Sequence, residues 1–89
     1  MSKRFKSAFD AIADTPEEAL NMKLRAELVT ELRGKIEANG WSQKEAAEHL
    51  GVTQPRVSDM LRGKLSKFSL DSLVNMLASV GGDVKLLVA

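Results

Sequence analysis

The chain has no cysteine, which excludes disulfides and thiolate metal sites. It has a single histidine, His49, and no acidic cluster at ligand spacing around it, so no metal centre is expected. Catalysis fares no better. Ser58 and Asp59 are neighbours but lack a placed base, and Glu17-Glu18 is explained by the positive end of a helix rather than by acid–base work. No enzyme, no catalytic residue and no cofactor are expected. Long apolar runs are also missing: nothing reaches spanning length, and MSKRFKSAFD lacks the apolar stretch of a signal peptide. The expectation is a soluble cytoplasmic protein without a membrane partner. Repeats and low-complexity segments are absent too. Eighty-nine residues make one modest domain with short extensions, of a size that gains from oligomerising. Net charge is only +1 and by itself says nothing about nucleic acid.

What is present centres on residues 42–63, SQKEAAEHLGVTQPRVSDMLRG. Ser42 can cap a helix, with Glu45 completing a capping box three residues on. Gly51 suits the left-handed residue that ends that helix. Thr53 can cap a second one, where Pro55 is tolerated because first-turn amides have no intrahelical partner. Ala46, Ala47 and Leu50 face inward from the first helix, and Val57, Met60 and Leu61 from the second. Ala47, Gly51 and Val57 are small enough to let the two helices cross closely. Two short helices in this arrangement suggest a helix-turn-helix. The charge distribution agrees: between residues 53 and 68, Arg56, Arg62, Lys64 and Lys67 stand against Asp59 alone, a local +3, while residues 1–40 balance. An ordinary solvated face is the competing explanation. On the DNA reading, the base-reading set is Gln54, Pro55, Arg56, Asp59 and Arg62, with Gln54 suited to adenine and Arg56 to guanine or phosphate. Ser42, Gln43, Thr53, Ser58, Lys64 and Lys67 are the expected backbone contacts.

Upstream, residues 1–15 are expected to be an extension with a short helix, its first nine residues a basic tip in which Phe5 and Phe9 lie four apart. Thr15, Pro16 and Glu18 restart a helix that runs to about Asn39. Leu20, Leu24, Leu28, Leu32 and Ile36 repeat every four residues, a row that must wind around the helix. With Ala19, Met22, Ala26 and Val29 beside it, the amino-terminal half is apolar over a wider arc. Two explanations stand: that half contacts a second chain, or the residues before it fold back and cover it. Downstream, Ser69 caps a last helix bearing Leu70, Leu73, Val74 and Leu77. Gly81-Gly82 breaks it, and residues 81–89 have a strand-like composition that would need a partner strand, such as that of a second subunit. The domain proper is expected over residues 16–80.

The stretch SQKEAAEHLGVTQPRVSDMLRGK resembles the helix-turn-helix of the Cro/C1 (XRE) repressor family, over roughly residues 24–80. The resemblance implies an all-α, five-helix domain, here with a helical extension before it and a short C-terminal β-strand after it. It implies that Gln54 begins a recognition helix and contacts a base, and that Gln43 and Thr53 hold the DNA backbone. Proline at 55 departs from the polar residue often found there and limits what the first turn can read. A narrower similarity, carried by TPEEALNMKLRAEL and FSLDSLVNML, is to HigA-like antitoxins. It implies a homodimer that represses its own operon from an inverted-repeat operator in double-stranded DNA and binds a RelE-superfamily toxin. The alternative is a stand-alone regulator of the same family.

Overall fold

The computed structural model of the chain describes residues 15–89. Thr15 opens it with an extended backbone, and its hydroxyl accepts from the Glu18 amide at 3.1 Å. Pro16 takes a first-turn position, where no amide is needed. Helix α1 then runs Pro16–Asn39, 24 residues or about 36 Å, and ends at Gly40. In α2, Gln43–Leu50, the capping box is complete: the Glu45 amide donates to Ser42 Oγ at 3.1 Å and the Ser42 amide to Glu45 Oε1 at 2.8 Å. Gly51, at φ 72°, turns the chain, a conformation that costs other residues steric strain. Helix α3 spans Gln54–Leu61; a three-residue 3₁₀ turn, Leu65–Lys67, follows it, and α4 spans Leu70–Ser79 behind the Ser69 cap. Beyond α4, Gly82 packs so closely on Leu77 that an added Cβ would lie 2.4 Å from its side chain.

The winding row on α1 decides how the helices assemble. Leu20 is 58% exposed and Leu24 36%, whereas Leu28, Leu32 and Ile36 are buried. The carboxy-terminal half of α1 is therefore the core helix, and its amino-terminal half projects past the core. Val29, Leu32 and Ile36 meet Ala46, Ala47 and Leu50 of α2, Val57 and Met60 of α3, Phe68, and Leu73, Met76 and Leu77 of α4 in one apolar cluster. α1 packs chiefly on α4, and α2 on α3.

Two expectations need correction. Among the described residues there are four α-helices and one 3₁₀ turn, not five helices. The segment between Gly63 and Ser69 is too short for a further α-helix and makes only the 3₁₀ turn; the short helix expected before Thr15 lies outside the described residues. The C-terminal β-strand is absent as well: residues 82–89 carry no regular structure, and Leu86, Leu87 and Val88 are exposed. A strand needs an adjacent strand to take its amides and carbonyls, and the described residues offer no sheet edge. A third difference is local. Thr53 has the extended backbone of a cap, yet its side chain makes no cap hydrogen bond.

Two outcomes follow from the fold. Leu32 is fully buried, so Leu32→Ala should cost about 3 kcal/mol in chemical denaturation, a large part of the stability of a small domain. The Glu45 carboxyl is held below its ordinary value of 4.5, first by the Ser42 amide and then by the Ser42 hydroxyl. A lowered folded value means that this stabilisation is complete above the unfolded value and is lost as pH falls through the folded one. Acid titration should thus lower the protection of the Ser42 amide, measured relative to its intrinsic exchange rate, below about pH 4.5, and Glu45→Gln should remove that dependence.

Candidate nucleic-acid interface

The crossing of α2 and α3 is built from small or compact side chains. Ala47, Val57 and Met60 are buried between them, Leu61 is half-buried at the end of α3, and Gly51 makes the turn. This leaves the outer face of α3 free for contact. Gln54, Pro55 and Arg62 are exposed, and Arg56, Ser58 and Asp59 are half-buried. Ser42 and Gln43 at the start of α2 and Thr53 before α3 are exposed too. The Thr53 hydroxyl is not spent on a cap and stands beside the Gln54 amide, since Pro55 has no amide hydrogen and the Arg56 amide donates to the Thr53 carbonyl at 3.1 Å.

Arg56 has a different environment from its exposed neighbours. Its guanidinium lies 4.1 Å above the centre of the Phe68 ring and donates to the Lys67 carbonyl at 2.8 Å. Phe68 is itself buried in the core. The side chain thus ties α3 to the loop that follows it, through a cation–π contact and a hydrogen bond. Two arginines of α1 act on the same loop. Arg25 donates to the Leu65 and Phe68 carbonyls at 2.7 and 3.1 Å, and Arg33 to the Leu61 carbonyl at the end of α3. Arg25 Nε is buried without a hydrogen-bond partner. Neither α1 arginine makes a salt bridge among the described residues. Sequence reasoning passed over both, along with Phe68. The available signal was weak: arginines beside an apolar row, without an acidic residue four positions earlier on α1 to claim them.

Asp59 gathers the loop's lysines. Lys64 Nζ stands 3.5 Å from one of its carboxylate oxygens and Lys67 Nζ 3.4 Å from the other. Partial burial works against ionisation of Asp59, but Lys67 and Lys64 outweigh it and hold the carboxyl below its ordinary range. Arg62 makes no such pair among the described residues. The exposed face thus carries one unpaired arginine, an exposed glutamine and two lysines grouped around one carboxylate.

Comparison with known proteins decides the family. A family described as a helix-turn-helix domain matches residues 11–89. A solved structure described as an XRE family transcriptional regulator superposes with a TM-score of 0.75 at 30% sequence identity, covering 81% of each chain. The chain belongs to the XRE helix-turn-helix family. No curated protein matches it. As a small helix-turn-helix domain, this XRE-family chain is a binding module and not an enzyme. Among its described residues no group of His, Cys, Asp and Glu is placed to hold a metal ion. Nor is any described helix long and apolar enough to cross a membrane.

The arginine clamp has a measurable consequence. Arg56→Lys removes the planar fork and weakens the ring contact. Hydrogen exchange of the Lys67 and Phe68 amides, which donate to Lys64 and Leu65, should accelerate severalfold, while the amides of α2 stay protected. Equal acceleration throughout the domain would contradict the local role.

Proposed function

We propose that this chain is a sequence-specific DNA-binding transcriptional repressor of the stand-alone Cro/C1 type, which binds an inverted-repeat operator as a homodimer. The observation that carries this reading is the α2–α3 pair, with a buried small-residue crossing and an outer α3 face bearing Gln54 and Arg62 in the open. A helix of this kind fits the major groove, where glutamine matches adenine and arginine matches guanine in bidentate fashion. Pro55 shapes the first turn at its side. Ser42, Gln43, Thr53 and Ser58 hold phosphates through hydroxyls, an amide group and helix starts, and Lys64 and Lys67 add charge without reading sequence. Arg56 contributes from behind by holding the loop that carries both lysines.

In this reading the apolar groove between α1 and α4 is the surface that a second copy covers. This groove of about 420 Å³ is lined by Leu24, Leu28, Leu70, Val74, Leu77 and Val84. Its charged lining is Glu27, Glu31 and Asp83 with Lys85. Such a dimer presents two recognition helices to successive major grooves.

Selection of duplexes from a random pool tests the assignment. The expected product is an inverted repeat with half-sites about 34 Å apart or a multiple of that, bound with an affinity that falls steeply as salt rises. Gln54→Ala and Arg62→Ala should each cost about 1–3 kcal/mol of discrimination at one base pair of the half-site. Unchanged base preference in both variants would sink the assignment.

A second reading, the antitoxin role, is supported by the similarity of TPEEALNMKLRAEL and FSLDSLVNML to HigA-like antitoxins. Those stretches form the amino-terminal half of α1 and most of α4, the two helices that line the groove. Co-expression with a neighbouring small reading frame separates the two. A co-purifying, growth-inhibiting product favours the antitoxin, and its absence favours the stand-alone regulator.

A further inference from the structure

The lysines of the loop are not simply exposed cations. Asp59 presents one carboxylate oxygen to Lys64 at 3.5 Å and the other to Lys67 at 3.4 Å, and its side chain is 21% exposed against 39% and 54% for the lysines. The arrangement is anchored from three directions. The Lys64 amide donates to the Asp59 carbonyl at 3.0 Å, so Lys64 is fixed relative to α3. Arg56 grips the Lys67 carbonyl, and Arg25 grips the residues on either side of Ser66 and Lys67. Both ammonium groups are therefore tethered around a carboxylate on the recognition helix itself.

We propose that Asp59 tempers the affinity of this chain for the DNA backbone by competing with DNA phosphate for Lys64 and Lys67. This rests on the DNA-binding reading and deepens it. Binding to arbitrary duplex is supplied almost wholly by phosphate contacts from lysine and arginine. A carboxylate between two of those lysines weakens their attraction for phosphate on any sequence. Base-edge contacts from Gln54 and Arg62 lie outside this ion-pair cluster and keep their strength. The result is a lower affinity for operator and random DNA alike, by a common factor, with the ratio between them left to the base contacts. Asp59 is poorly suited to accept a hydrogen bond from cytosine, since each of its oxygens already faces an ammonium group.

The test measures binding of the full chain to a random-sequence duplex and to the duplex enriched by selection, across a salt series. Asp59→Asn keeps the side chain's shape and removes its charge. It should bind the random duplex roughly two- to tenfold more tightly at low salt, the scale of two exposed ion pairs, and gain affinity for the selected duplex by a similar factor. In a Lys64→Gln/Lys67→Gln background the same substitution should change random-duplex binding by less than about twofold, because the competed groups are gone. Unchanged or weaker random-duplex binding by Asp59→Asn overturns the proposal. So does an equal gain in the lysine-free background, which would mean direct repulsion of DNA. If the unsubstituted chain binds neither duplex, it is the DNA-binding reading itself that fails, a distinct outcome.

Discussion

Backbone carbonyls beyond the end of α3 set the problem that the rest of the structure solves. Between Leu61 and Ser69 the chain makes only a three-residue 3₁₀ turn, so most carbonyls there lack the helical partners that a continuing helix would provide. Left unpaired near the core they would be costly. Arg33 reaches the Leu61 carbonyl, Arg56 that of Lys67, and Arg25 that of Phe68 together with that of Leu65, which also accepts from the Phe68 amide. Because two of these arginines belong to α1, the long helix fixes the position of the recognition helix and the start of α4 as well as filling the core. Phe68 completes the arrangement, with its ring buried and its upper face under Arg56.

The division of labour among the cations follows from their chemistry. A guanidinium is planar, weakly hydrated and able to fork onto two acceptors, so it serves against carbonyls and a ring in partly buried places. An ammonium group is compact and strongly hydrated, and here both loop lysines stay at the surface with Asp59. Arg62 alone among the arginines of the α3 region is exposed without such a role. Formal charge therefore overstates how much of the +3 between residues 53 and 68 is available to a partner.

Features governed by neighbouring residues were legible in the sequence. Thr15, Ser42 and Ser69 cap their helices because each cap needs only an amide three residues away. The four-residue row on α1 was readable as a winding stripe, and its exposure does change along the helix. What escaped depends on distance in the chain. Arg25 meets residues 40 and 43 positions later, and no local pattern encodes that pairing. Arg56 and Asp59 look like free outward side chains on a helical projection, but the loop folds back over them. Residues 82–89 show the opposite error, where composition suited a strand but the described residues hold no edge to pair with it.

The only tryptophan and the only histidine of the chain lie face to face, with ring centres 4.0 Å apart and planes 8° from parallel. Trp41 follows the end of α1, and His49 sits in the last turn of α2. The stack therefore closes the corner between the core helix and the first helix of the helix-turn-helix. Its optical meaning is that the protein carries one intrinsic fluorophore, seated where the recognition unit joins its support. Tryptophan emission thus reports on that corner alone, separately from the loop and the groove.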